Sequence, residues 1–229
     1  LRAMNGLYPP SLDEPTVRMM KAAGFRTLNL SAGSSSAEQL KKFRRPNVAQ
    51  CLEKVLDCAK KHGLGSVCYM IAGAYGQTAE SSLADLVYVA KSSALAGLSI
   101  FYPSPGSADC ASLRAKGLLP PHFSMWRSSA APCPGPATRL EVITLLRLAR
   151  IINFVKSLES AGINMPKSSP CEKDGIFEFS NRMEIGLGLL SRFLEDGKIR
   201  GVAPHGEIYE HEAAENLTNS FLKRVDWNG

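Results

Sequence analysis

Three short segments of small polar residues, at 31–34, 73–78 and 103–107, each contain glycine and each follow a run of apolar, β-favouring residues. Glycine lets backbone approach a ligand closely, and serine hydroxyls and free amides at such turns can bind polar groups. Met70 and Ile71, just before the second segment, could receive a flat ring. Together the three segments suit a nucleotide-like ligand, although each taken singly also reads as an ordinary turn after a strand. Arg45 belongs to the basic run Lys41, Lys42, Arg44, Arg45, which reads by itself as a solvated basic face. Tyr102, at a strand end, reads as a core residue rather than as a contact.

The six cysteines, at 51, 58, 68, 110, 133 and 171, include no pair two residues apart and form no cysteine–histidine cluster. Their spacing provides no metal site of zinc type, and they read as small buried hydrophobes. His62, His122, His205 and His211 lack ligand spacing and suit exposed or capping roles. Trp126 could cover a substrate or anchor its own loop, and the anchor is the expected role. No residue stands out as catalytic.

The elements that must hold these segments read as parallel βα units. Ser11 and Glu14 have capping-box spacing ahead of a helix over 12–23, and a strand at 25–30 follows. Ser35 and Glu38 repeat that spacing, and Asn47 caps a helix with the stripe Val48, Leu52, Val55, Leu56, Ala59 that Gly63 closes. A nearly continuous apolar run at 66–72 predicts a strand covered on both faces. Thr78 opens a helix that runs to Gly97, and a third strand is expected at 98–102. Seven of the fourteen prolines fall within 103–137, so regular structure there is short or absent and the segment reads as a long functional loop or lid. Thr138 and Glu141 open a long amphipathic helix with the stripe Leu140, Ile143, Leu146, Ile151, Phe154, Val155, Leu158, ending at Gly162. A polar break at 164–174, a helix over 177–194 and a hairpin around the Pro204-His205-Gly206 turn complete the chain.

Alternating strands and helices at this spacing imply an α/β fold. The chain has 229 residues with 45% hydrophobic and 21% charged, which excludes collagen-like and wholly disordered classes. No apolar run approaches the roughly 20 residues a membrane-spanning helix requires. A net charge of +6 mildly favours anionic ligands. Without a signal-peptide pattern at Leu1-Arg2-Ala3-Met4, a reduced, cytoplasmic setting is expected, and the start at Leu1 suggests a chain cut from something longer.

Phe25 to Arg45, FRTLNLSAGSSSAEQLKKFRR, resembles the fourth strand and following helix of the radical S-adenosylmethionine (SAM) superfamily. IAGAYGQT at 71–78 is similar to that superfamily's fifth-strand motif, SIFYPSPGS at 99–107 to its sixth, and Asn5-Gly6-Leu7-Tyr8 to the end of its third strand. The helix at 138–160 and the tail resemble members that carry an N-terminal cobalamin-binding domain. The resemblance implies a partial (β/α) barrel of parallel strands with helices outside. Residues 1–137 would be its C-terminal half with a proline-rich loop, and 138–229 the long helix and a small helical and hairpin appendage. It further implies that SAM, cleaved reductively at a 4Fe-4S cluster, yields a 5'-deoxyadenosyl radical. Ser31 would then contact the ribose or methionyl part, Arg45 the cofactor's carboxylate, and Ile71 and Gly73 the adenine, with Tyr102 near the barrel mouth.

The superfamily's three-cysteine signature is absent from this sequence, as are its first two strands. The cluster ligands and any cobalamin-binding domain are therefore expected outside this chain, in a missing N-terminal half that acts as partner, and the substrate is unnamed. A sheet of three strands cannot close a barrel, so a bare edge with marginal stability or self-association is expected. Two further readings stay open: a barrel remnant serving as a non-catalytic binding or interaction module, and RNA recognition by the basic run, for which the sequence offers no aromatic stacking platform.

Overall fold

The computed structural model describes residues 1–3, 6–127, 133, 135–168 and 181–227. Asn5, Cys171 and the expected helix start at 177–180 lie outside the described residues.

Three strands, β1 (Thr27–Gly33), β2 (Gly65–Ala72) and β3 (Leu95–Ile100), form a parallel sheet in the order β1-β2-β3. Consecutive parallel strands need crossovers, and helices supply them: α1 (Glu14–Ala22) precedes β1, α2 (Ala37–Lys42) and α3 (Ala49–Lys61) link β1 to β2, and α4 (Ala79–Lys91) links β2 to β3. After β3 come α5 (Ala108–Ala115), a 3-10 turn at Phe123–Arg127 and the long α6 (Arg139–Ala161). The chain continues through α7 (Arg182–Asp196), an antiparallel hairpin of β4 (Arg200–Val202) and β5 (Ile208–Glu210), and α8 (Glu215–Val225).

Side-chain caps set most of these starts, with three departures from the expected residues. Asp13, not Ser11, caps α1 by accepting from the Thr16 amide at 2.9 Å, because Ser11 sits in a 3-10 turn with its hydroxyl on the Tyr8 carbonyl. Ser36, not Ser35, caps α2, because both the amide and the hydroxyl of Ser35 are taken by Asp85. α3 starts from Val48 with no side-chain cap, Asn47 one residue further out accepting from the Ala49 amide at 3.1 Å, whereas Thr78 caps α4 as expected by accepting from the Ser81 amide at 3.1 Å. Thr138 and Glu141 form the full reciprocal capping box of α6, which ends at Gly162 in the left-handed conformation.

β3 begins three residues before the expected start, and Gly97 lies inside it rather than ending α4. A Cβ at Gly97 would stand 2.8 Å from a ring carbon of Tyr69 on β2. The Tyr69 ring thus lies across β3 at Gly97, which leaves room for it.

The sheet has two unlike faces. Leu28, Leu30, Cys68, Met70, Ala72 and Ala96 turn toward the helices and join one buried cluster with residues of α3, α4, α6, α7 and α8. Ser31, Val67, Tyr69, Ile71, Leu95, Gly97 and Ser99 share the opposite face and stay half-exposed or exposed. β2 therefore alternates buried and half-buried residues, where its apolar run predicted burial on both faces. An open face is unusual for a parallel sheet.

Both outer strands carry pairing at a defined point. Leu7 forms a parallel bridge with Leu30, with its amide on the Asn29 carbonyl and its own carbonyl accepting from Ser31. On β3, the Asn153 side chain of α6 accepts from the Ala96 amide at 2.7 Å and donates to the Ala96 carbonyl at 2.9 Å. β3 remains an edge strand of the sheet, and at Ala96 an asparagine amide takes the place of a neighbouring strand.

α6 buries Val142, Leu145, Leu148, Ala149, Ile152, Val155 and Leu158, only partly the expected stripe. Ile151 and Phe154 sit half-buried beside α7, so the helix is packed on two sides and no single stripe describes it. The C-terminal helix α8 packs on α4 and α6: Phe221 is fully buried, Arg224 pairs with Glu80, and the Thr144 hydroxyl accepts from the Ala214 amide at 2.9 Å. No helix among the described residues is long and apolar enough to cross a membrane.

Candidate functional site

Parallel strands place all three C-terminal tips on one rim, where loops and helix starts converge. At the β1 tip the register slips between Ser31 and Gly33: Ser31 pairs with Tyr69 and Gly33 with Met70, leaving Ala32 as an extra residue. Such a bulge bends the strand and re-aims the side chains next to it.

Ser31 and Arg45, fourteen residues apart, meet at this bulge. The Arg45 guanidinium donates from Nη1 to the Ser31 hydroxyl at 3.1 Å. Its stem crosses Gly33, where a Cβ would sit 3.3 Å from Arg45 Cδ, and Gly33 holds φ of +84°. α2 ends so that the chain can return to the strand tip: the Arg45 amide bonds back to the Leu40 carbonyl, and Arg44 takes the left-handed conformation at φ of +54°. A residue with a Cβ is strained there. Arg44→Gly is therefore expected to stabilise the chain by up to about 1 kcal/mol in urea denaturation, the roughly 1–2 kcal/mol of left-handed strain relieved being partly offset by the greater freedom of glycine in the unfolded chain, with the Arg45–Ser31 contact kept; a loss of stability would show that the Arg44 side chain holds the turn.

Gly6, Tyr8, Ala32, Pro46 and Val48 complete a cleft of about 300 Å³ around this pair. Tyr8, whose ring is about half exposed, faces the same cleft as Arg45, so the basic run has an aromatic neighbour that its local sequence did not reveal.

Ile71 lies on the open face with Ser31, one strand over and two residues nearer the rim than Tyr69, the partner of Ser31. Gly73 follows at φ of +71°, and a Cβ there would meet Val142 of α6 at 3.2 Å. Gln77 braces this turn and was missed in the sequence: fully buried, it accepts from the Ala74 amide at 3.2 Å and donates to the Ile71 carbonyl at 3.0 Å. Tyr102 follows β3 and is 39% exposed, so it is no core residue. Ser31 and Arg45 are thus in contact, Ile71 and Gly73 stand at the neighbouring tip, and Tyr102 at the next.

Asp85 was likewise missed. It lies in α4 among Leu83, Leu86 and Val87, and an acid set within this apolar stretch was the available signal. Its carboxylate ties the loop after β1 to α4 through Ser34 and Ser35.

Burial pushes the Cys68 thiol up to about 12 and raises those of Cys58 and Cys133, so these sulfurs stay protonated and poorly nucleophilic. Cys68, Cys110 and Cys133 are buried, whereas Cys51 and Cys58 are only half-buried. Among the described residues no three His, Cys, Asp or Glu side chains converge as a metal site would require. His62 ends α3 with its ring against Glu14 at 3.1 Å, and the Trp126 indole donates to the Pro120 carbonyl at 3.0 Å, anchoring its own loop. Tyr75, at the β2 tip, holds Lys116 by its hydroxyl at 3.1 Å and by its ring face. No protein-family model and no curated protein matches the chain.

Proposed function

We propose that the chain is the cofactor-cradling, C-terminal part of a partial (β/α) barrel enzyme of radical SAM type, contributing contacts to adenosylmethionine and substrate. The observation that carries this reading is the Arg45 guanidinium resting on Ser31 in a cleft at the tip of a parallel strand. A fixed guanidinium beside a hydroxyl suits the carboxylate of an amino-acid-bearing ligand. The sequential strand order, the helices on one face and the open opposite face all suit a barrel segment whose interior awaits its remaining strands.

In this reading Arg45 binds the carboxylate, Ser31 orients Arg45 and accepts or donates toward the ligand, and Ile71 offers an apolar surface to the adenine. Gln77 fixes the turn that carries Gly73. Bound SAM supplies the 5'-deoxyadenosyl group. No group of side chains among the described residues fits an iron–sulfur cluster.

Equilibrium dialysis with labelled SAM tests the reading. Binding in the millimolar range or tighter is expected, weakened about tenfold or more by Arg45→Met, since a hydrogen bond to a charged group contributes roughly 1.5–3 kcal/mol. Equal binding by both forms would remove Arg45 from the site, and no binding by either would remove the proposal.

A further inference from the structure

We propose that the turn after α5 is a docking surface for an anionic lipid bilayer, with Phe123 as the side chain that enters it. Phe123 is 68% exposed, so most of a phenyl ring stands in solvent. The Trp126 ring lies beside it, centroids 5.1 Å apart and planes tilted by 51°. Leu118, Leu119, Met125 and Trp126 are only half-buried. A turn ordinarily carries polar residues at its surface, whereas this one leaves a run of apolar side chains within reach of solvent.

Charge selects the kind of surface it meets. No Asp or Glu occurs from Cys110 to Leu140, a stretch that holds Arg114, Lys116, Arg127 and Arg139. Arg114 and Lys116 are exposed at the end of α5, directly ahead of the apolar run. Arg114 reaches the Cys110 sulfur at 4.0 Å and Lys116 the Tyr75 hydroxyl at 3.1 Å, and neither of these partners is a carboxylate. Basic side chains next to an apolar tip are attracted by acidic headgroups while the tip enters the acyl boundary.

The polar groups of the tip favour a lipid over a nucleic acid. Pro120 and Pro121 have no N–H to desolvate. The Met125 amide donates to the His122 carbonyl at 2.9 Å, and the Trp126 indole N–H donates to the Pro120 carbonyl at 3.0 Å. Donors that are absent, or that already have an acceptor inside the turn, add little cost when the turn leaves water. A single-stranded nucleic acid could stack a base on Phe123, but Leu118, Leu119 and Met125 offer its bases neither a stacking ring nor a hydrogen bond. The contact is peripheral, with the tip at the depth of the headgroups, and no helix among the described residues accompanies it across a membrane.

Co-sedimentation of the full chain with lipid vesicles tests the surface, in the absence of adenosylmethionine so that the result is separate from the cofactor reading. Vesicles of phosphatidylcholine mixed with phosphatidylserine are expected to bind the chain about tenfold or more tightly than vesicles of phosphatidylcholine alone, and added salt is expected to reduce that difference. Phe123→Ser, and separately the pair Arg114→Gln with Lys116→Gln, are each expected to weaken binding to the mixed vesicles by about tenfold, with urea midpoints close to that of the parent because all three residues are exposed. Equal binding to both vesicle types, binding to neither, or parental binding by either variant would overturn the proposal. Retention on a single-stranded RNA that Phe123→Ser abolishes, with vesicles left unbound, would overturn it in favour of a nucleic-acid surface. If Phe123→Ser does not fold, the glutamine pair decides alone.

Discussion

Phe221→Ala is expected to cost about 3–5 kcal/mol in urea denaturation, the range for truncating a buried aromatic side chain. Phe221 is fully buried in α8, and Trp227 meets its ring edge-on with centroids 5.2 Å apart. The helix is fastened at its start by the Ala214 amide on Thr144 and further along by Arg224 and Ser220 on Glu80. The exposed Arg224–Glu80 pair adds little on its own, so the burial of Phe221, Leu217 and Val225 dominates. A loss below about 1 kcal/mol, typical of surface substitutions, would mean that α8 is a loose tail rather than a wall of the core.

Asn153→Ala is expected to cost about 2–4 kcal/mol, because it strips the Ala96 amide and carbonyl of their partner at a part-buried edge where each unsatisfied group costs roughly 1–3 kcal/mol. The same change uncovers the β3 edge. An unpaired strand edge is a template for another chain, so the variant is also expected to sediment as a mixture with dimers or larger species while the parent does not. A variant of unchanged stability and size would show that β3 needs no cover at Ala96.

Much of the scaffold was legible because its signals are local. The Thr138–Glu141 box and Gly162 bracket α6, and Thr78 starts α4, since a cap is settled within one helical turn. Ser11 and Ser35 had the right spacing and the wrong partners: the competing bonds to Tyr8 and Asp85 exist only in the folded chain. Gly97 read as a helix stop because glycine there has two physical meanings, and the tertiary one, room for the Tyr69 ring, is invisible along the chain. Helix α8 was readable from Leu217, Phe221 and Val225 at four-residue steps and was passed over.

The site divides in the same way. Ser31, Ile71 and Gly73 follow from strand-end composition, and parallel pairing brings their tips to one rim. The Arg45–Ser31 contact depends on a left-handed Arg44, a residue type that seldom takes this conformation, so no local rule announces it. Gln77 and Asp85 act through bonds to backbone and serines that are near in space, which sequence position alone does not disclose.

The central question is whether the rim of β1 and β2 receives an adenosyl amino acid. An amide chemical-shift map of the chain titrated with SAM measures this residue by residue. Shifts concentrated at Ser31–Gly33, Arg45 and Ile71–Gly73, and absent at the hairpin of β4 and β5, are the predicted result. A silent spectrum, or shifts gathered at the hairpin with the rim unmoved, would contradict it.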